Sequence, residues 1–223
     1  MSEIMILAGL YTLAFGFLMG TLLCEAWKKY YTLGKTINSL AFILVAIYAG
    51  NHGNHQEALL ITLPAFVLCL GGDVLLGIFN QVKKKGFFLA GLLVFLAGHI
   101  GFIYSFSQLQ PLSLGDFIFP VVGVLLCLWM VNLKNVDTGR LKVEVLIYSF
   151  FVSLFLSKAV HLAIELQNIR GLMLALGAFL FLASDIILLF LNFYQKRYLS
   201  LHVLNLITYY YGIFLIAASF LLC

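Results

Sequence analysis

An all-α membrane protein with eight transmembrane helices is the fold class this sequence predicts, and three observations predict it. Of the 223 residues, 63% are hydrophobic and 10% charged, where a soluble domain carries about a quarter charged. The apolar residues gather in eight runs, each near the roughly 20 residues a helix needs to cross hydrocarbon about 30 Å thick. Eleven of the 13 lysines and arginines fall in alternate breaks between those runs, the asymmetry that cytoplasmic loops show. A disordered or nucleic-acid-binding chain would need charge that this one lacks. The expected partner is the lipid bilayer, with no nucleic acid.

In order, the first expected span runs from Ile4 to Cys24. No basic stretch precedes it and no small-residue cleavage site follows, so it reads as a retained helix and not as a removable signal. The second, Thr36 to Gly50, is the shortest of the clear runs. Then come Ala58 to Phe79, Phe87 to Ser107, Asp116 to Leu133, Val143 to Leu162, Gly171 to Phe193 and Leu199 to Leu222. The runs are continuous and the breaks short, whereas barrel strands alternate in character at every second residue. Residues 1–223 therefore read as a single integral-membrane domain.

The basic residues orient the bundle. Lys28, Lys29 and Lys35, then Lys83 to Lys85, then Lys134, Arg140 and Lys142, then Lys196 and Arg197 share one side. That side is cytoplasmic by the charge rule, which leaves both termini non-cytoplasmic. Arg170 alone faces outward, and Lys158 lies inside the sixth span, where with His161 it is expected to snorkel outward. The break from Asn51 to Gln56, with His52 and His55, faces outside. Trp27, Tyr30 and Tyr31 read as an interfacial aromatic belt. Cys24, Cys69, Cys127 and Cys223 have neither paired nor metal-ligand spacing and read as small buried hydrophobes.

Seven carboxylates, Glu3, Glu25, Glu57, Asp116, Asp137, Glu144 and Glu165, fall in breaks or near span ends. Asp73 and Asp185 do not. Each sits within an apolar span, where a carboxylate costs at least about 2.5 kcal/mol and marks function by default. Their surroundings match: a small residue, Asp, an apolar stretch, and Asn seven positions later, Asn80 and Asn192. Seven residues is two helical turns, so each Asn shares a face with its Asp. Spans three and seven run in the same direction, placing the acids at similar depth, roughly 10 Å from the cytoplasmic boundary. The match points to a parallel four-plus-four internal repeat, and membrane folds of that kind often put their site at the repeat interface. The small residues Gly71-Gly72 and Ala183-Ser184 suit close helix packing.

His99 reads first as a satisfied core histidine and second as a catalytic one, and Tyr148, Tyr209, Tyr210 and Tyr211 as packing aromatics with a bonded hydroxyl. Asn205, Thr208 and Tyr209 share one face of span eight. With Lys35, Thr36 and Asn38 they would make a polar funnel entered from the cytoplasmic leaflet.

In GGDVLLGIFN, FFLAGLLVFLAGHIGFIYSF, GAFLFLASDIILLFLNFY and the late TYYYG, the chain resembles, in order and over nearly its whole length, the YhhN family of integral-membrane lysoplasmalogenases. The resemblance maps the family's Gly-Asp and Ser-Asp elements onto Gly72-Asp73 and Ser184-Asp185, its Gly-His onto Gly98-His99 and its tyrosine pair onto Tyr209-Tyr210. The family's Lys-Pro appears here as Lys35-Thr36, without the proline. What the resemblance implies is hydrolysis of the vinyl ether of a lysophospholipid, a lysoplasmalogen, to a fatty aldehyde and glycerophosphoethanolamine or glycerophosphocholine. Two carboxyls, one giving a proton and one charged, suit that chemistry as they suit glycosidases. Asp73 and Asp185 are the expected catalytic pair. Lys35 is expected to meet the phosphate at the membrane surface, with Asn80, His99, Tyr148, Asn192, Tyr209 and Tyr210 completing a substrate-binding set. No metal or cofactor is expected.

Two rivals follow from the same residues. A zinc-dependent ceramidase-like hydrolase would need about three converging imidazoles, but His52 and His55 are expected outside, His202 near the cytoplasmic end and only His99 mid-span. A proton-coupled transporter would use paired acids and a parallel repeat, with Lys158 as counter-ion; Pro64 in span three has no partner in span seven to make matching breaks. The compact chain without a retrieval signal favours a bacterial inner membrane. Headgroup preference and oligomeric state are not written in the sequence.

Overall fold

A computed structural model of the chain describes residues 2–195 and 198–222, apart from the side chain of Ser2. Lys196, Arg197 and Cys223 lie outside the described residues. Eight α-helices follow in order: α1 Ser2–Leu23, α2 Tyr31–His52, α3 Gln56–Val82, α4 Lys85–Leu109, α5 Ile118–Val131, α6 Lys142–Leu166, α7 Ile169–Phe193 and α8 Leu199–Ala218. Short 3-10 helices precede α2 (Glu25–Tyr30), α5 (Leu114–Phe117) and α6 (Gly139–Leu141) and follow α8 (Ser219–Leu221). Among the described residues these supply eight spans long and apolar enough to cross a membrane, the fifth only with its 3-10 turn included. The chain is a multi-pass helical membrane protein.

Two predicted boundaries move, for physical reasons. Helix α2 begins at Tyr31 rather than Thr36, because Tyr31 and Lys35 are buried inside the protein; hydropathy reads such polar residues as a break. Helix α5 has 14 residues, and the preceding 3-10 turn holds Asp116, whose carboxylate closes a capping box with Ser113. Cys24 is exposed between α1 and the first 3-10 helix, so it is not one of the buried small hydrophobes that Cys69 and Cys127 are. Of the expected belt, Trp27 and Tyr30 are exposed while Tyr31 is buried.

The chain divides into two compact units, Met1–Phe102 with Ala217–Cys223, and Ile103–Ile216. In the first, α2 packs along α3, and an aromatic chain from Phe42 to Phe66 to Phe102 fills the core with ring centroids 5.9 and 5.1 Å apart. Gly77 makes the close approach of α2 possible, since a Cβ there would stand 2.9 Å from Thr32 Cγ2. The returning C-terminal segment is fastened by His55 Nε2, 2.9 Å from the Leu222 carbonyl. In the second unit α6 packs against α5 and α7, and Phe106, Phe155, Phe181, Tyr209 and Tyr210 form a continuous aromatic run. Helices α7 and α8 touch backbone to backbone, with a Cβ on Gly177 standing 2.7 Å from the Gly212 carbonyl. A lone bridge between Val136 and Tyr194 ties the α5–α6 connection to the end of α7.

Candidate active site

The first unit holds the most deeply buried acid, and the geometry follows from helix periodicity. Tyr31, Lys35 and Ser39 are spaced by four on α2 and so share one face. That face lies against Asp73 of α3, which has 0% of its surface exposed, while Lys35 keeps 6%. Lys35 Nζ stands 2.9 Å from Asp73 Oδ1, and the Ser39 hydroxyl lies 2.6 Å from Oδ2. Tyr31 is close enough to feel both charges. Beside this cluster the Asn38 amide donates to the Ala14 carbonyl at 3.1 Å and to Gly34 at 2.9 Å, tying α2 to α1.

Lys35 is therefore not a cation at the membrane surface: its ammonium is inside the protein on Asp73, because the first turn of α2 turns inward. Ser39 has no role in the sequence reading, and Tyr31 enters it only as part of an interfacial belt. The signal was present as polar residues four apart on α2, but a helical serine has a local reading as a bond to the carbonyl one turn back, and Ser39 lies 2.9 Å from the Lys35 carbonyl.

In the second unit Asp185 of α7 is half-buried, with its Oδ2 covered, and the Tyr148 side chain of α6 reaches it. Each acid is thus met by polar side chains of the helix before its own. Next to Asp185, the Asn205 amide of α8 donates to the Ser184 carbonyl at 2.7 Å. Tyr209 is buried edge-on against Phe181 with centroids 5.1 Å apart, and Tyr210 is fully buried against Tyr209.

The remaining expected residues divide. Asn192 bonds the Leu188 carbonyl of its own helix at 2.8 Å, and Asn80 is half-buried on α3. His99 is 1% exposed on α4, its ring near the Phe95 carbonyl one turn back. Among the described residues, no three His, Cys, Asp or Glu side chains gather in an arrangement that would hold a metal ion.

A second charged cluster occupies the second unit, away from the expected set. Lys158 does not snorkel: it is 0% exposed. Its ammonium donates to the Pro111 carbonyl at 2.9 Å and lies 3.7 Å from Asp116 Oδ2. His161 Nδ1 is 2.8 Å from Asp116 Oδ1, and the Ser113 amide donates to Oδ2 at 2.7 Å. Asp116, expected at a span end, is thus buried as Asp73 is. It fastens the α4–α5 connection to α6, a pairing that sequence separation hides.

Compared with known proteins, residues 30–220 match the family model described as YhhN family. No curated protein and no solved structure matches the chain.

Proposed function

Because the chain belongs to the YhhN family, we propose that it is a membrane-embedded hydrolase that cleaves the vinyl ether bond of lysoplasmalogens. The products are a fatty aldehyde and glycerophosphoethanolamine or glycerophosphocholine. The observation that carries the reading is the family match over residues 30–220, which takes in both Asp73 and Asp185. Two features of the chain support it. Both acids lie inside apolar helices, where a carboxylate is costly enough that function is the default explanation, and each is held by neighbouring polar side chains.

The chemistry uses two carboxyls in complementary states. One gives a proton to the β-carbon of the vinyl ether, and the π pair forms the new C–H bond. An oxygen lone pair then closes the oxocarbenium ion at the α-carbon. The other carboxyl takes a proton from water as the water oxygen adds to that carbon. As the hemiacetal collapses to aldehyde and a glycerol hydroxyl, the second carboxyl gives its proton to the leaving glyceryl oxygen and the first takes one from the hemiacetal hydroxyl, which restores both. Tyr148, Tyr209 and Tyr210 would line the path of the substrate, with Asn80, Asn192 and His99 orienting polar groups, and the apolar helix faces would receive the alkenyl chain. The setting we propose is a bacterial inner membrane, with the lysophospholipid presented by the bilayer.

The test is aldehyde release from a lysoplasmalogen by the purified protein in detergent, where no gradient can drive transport. Wild type releases aldehyde with or without chelator, and Asp73→Asn and Asp185→Asn each lose at least about a hundredfold, the range of general acid–base catalysis. Full activity in both variants at wild-type expression would remove the pair from the mechanism, and chelator-sensitive activity would favour the metal-dependent alternative.

A further inference from the structure

Two basic segments of the first unit are fastened to each other. Lys28 and Lys29 lie on the 3-10 helix between α1 and α2, and Lys83, Lys84 and Lys85 lie where α3 gives way to α4. All five residues are exposed. The Gln81 amide near the end of α3 donates to the Lys29 carbonyl at 3.1 Å, which sets the 3-10 helix beside the last turn of α3. One turn earlier, Gly77 admits Thr32 at the start of α2 so closely that a Cβ would stand 2.9 Å from its Cγ2. The lysines of the two segments therefore share one rim of the unit. Glu25 is the one carboxylate on these segments, and it is paired with Lys28. Ammoniums gathered this way repel one another, and an anion from outside the chain relieves that repulsion.

Apolar and aromatic surface lies directly beside the charge. Lys29 Nζ stands 5.0 Å from the centre of the Tyr30 ring and Lys83 Nζ 5.7 Å from that of Phe79, both within the range of a cation held over an aromatic face. Trp27 is seated against Phe17, with centroids 6.1 Å apart, and over Gly20, where a Cβ would stand 3.1 Å from its ring. Trp27 and Tyr30 are 48% and 43% exposed, and Leu23 and Val82, which end the apolar runs next to the lysines, 56% and 49%. We propose that this rim is a binding surface for anionic phospholipid. The ammoniums meet the headgroup phosphate, Trp27 and Tyr30 lie at headgroup level, and the acyl chains run along the exposed ends of α1 and α3. Clustered lysines flanking membrane helices are the usual sequence form of such recognition. Orienting a chain during insertion needs only charge in a connection; a bond between the segments and rings beneath two ammoniums are features of a folded surface. A soluble polyanion would leave Leu23 and Val82 unused.

The experiment is native mass spectrometry of the full chain in mild detergent, which counts the lipid molecules held by each protein. Phosphatidylglycerol and phosphatidylcholine of identical chains are offered in equal amounts. Wild type is expected to hold phosphatidylglycerol preferentially, and less of it as salt rises. Each lysine replaced by glutamine weakens that binding about fivefold, the effect of one cation near an anionic membrane surface. Lys29→Gln/Lys84→Gln is thus expected to bind about 25-fold more weakly, and Lys29→Arg/Lys84→Arg close to wild type. Lys28, Lys83 and Lys85 stay in place in both, so charge that orients the chain is kept. Lys134→Gln/Lys142→Gln, on the second unit, is expected to leave the preference for phosphatidylglycerol unchanged.

Equal retention of the two lipids by wild type overturns the proposal, as does a Lys29→Gln/Lys84→Gln variant with undiminished binding. An equal loss in Lys134→Gln/Lys142→Gln would show that total charge, and not this rim, holds the lipid. Glycerol phosphate, added at constant ionic strength, is expected to leave the lipid bound; displacement by it would make the ligand a free phosphate and not a membrane lipid. None of these outcomes depends on aldehyde release, so the surface stands or falls apart from the lysoplasmalogenase reading.

Discussion

Lys158 and Asp116 show how much one buried charge depends on its partner. Both side chains are essentially without exposed surface, at 0% and 1%, and the ammonium also satisfies the Pro111 carbonyl. Removing one member of such a pair leaves the other uncompensated, at a cost of about 3–5 kcal/mol. Lys158→Met is therefore expected to lower the thermal unfolding midpoint in detergent sharply. Lys158→Met/Asp116→Asn should recover much of the loss, because no buried charge is left over. A single variant as stable as wild type would show that the pair is solvated. The same residues mark what a sequence reading can and cannot reach. Asp73 and Asp185 were legible because each interrupts a continuous apolar run. Asp116 was not, since near a span end a carboxylate has a cheap explanation and its partner lies on a different helix. Lys35 was found as a residue but misplaced, because only packing reveals that the first turn of α2 faces Asp73.

Helix contacts make their own prediction where backbones meet. Gly177 and Gly212 each face the other's carbonyl, with the added Cβ atoms at 2.7 and 2.9 Å, so a side chain at either must push α7 from α8. Close approach through small residues is how membrane helices gain packing energy when the hydrophobic effect is absent between them. Gly177→Val is expected to destabilise by at least about 1–3 kcal/mol, the range of overpacking, read as a lower unfolding midpoint in detergent. Gly9 has nothing within 4 Å, and Gly9→Ala should leave that midpoint unchanged or raise it, because alanine is the better helix former. Equal losses at the two positions would show that helix propensity, not contact, governs both. Helix existence was readable throughout, since a membrane span must be one long apolar run. Helix ends were less so. Tyr31 starts α2 five residues before the apolar run, and the α5 span completes its length with a 3-10 turn pinned by Ser113 and Asp116, features set by side-chain bonds and not by hydropathy.

Across the whole molecule, orientation is the property that connects the charges to the proposed substrate. The described helices place Lys28 and Lys29 before α2, Lys83 and Lys84 between α3 and α4, and Lys134 and Arg140 between α5 and α6, which are alternate connections of an eight-helix chain. The charge rule predicts that this side is cytoplasmic. On that expectation Cys24, exposed at the end of α1, is predicted to face the cytoplasm, and His52 at the end of α2 to face outward. In cells expressing the Cys223→Ser protein, a membrane-impermeant thiol reagent should label Cys24 only after the membrane is opened. A Cys24→Ser/His52→Cys variant on the same background should be labelled in intact cells. Cys69 and Cys127 are buried and contribute little signal to either arm. The opposite pattern would invert the bundle, and with it the leaflet that supplies the substrate. Lys35 and Ser39 lie in the first half of α2 and Asp73 in the second half of α3, both nearer the basic side. On the proposed lysoplasmalogenase reading, a cytoplasmic basic side would let the lysophospholipid headgroup reach Asp73 from the cytoplasmic leaflet, whereas with that side outside a cytoplasmic lysolipid would first have to cross the bilayer.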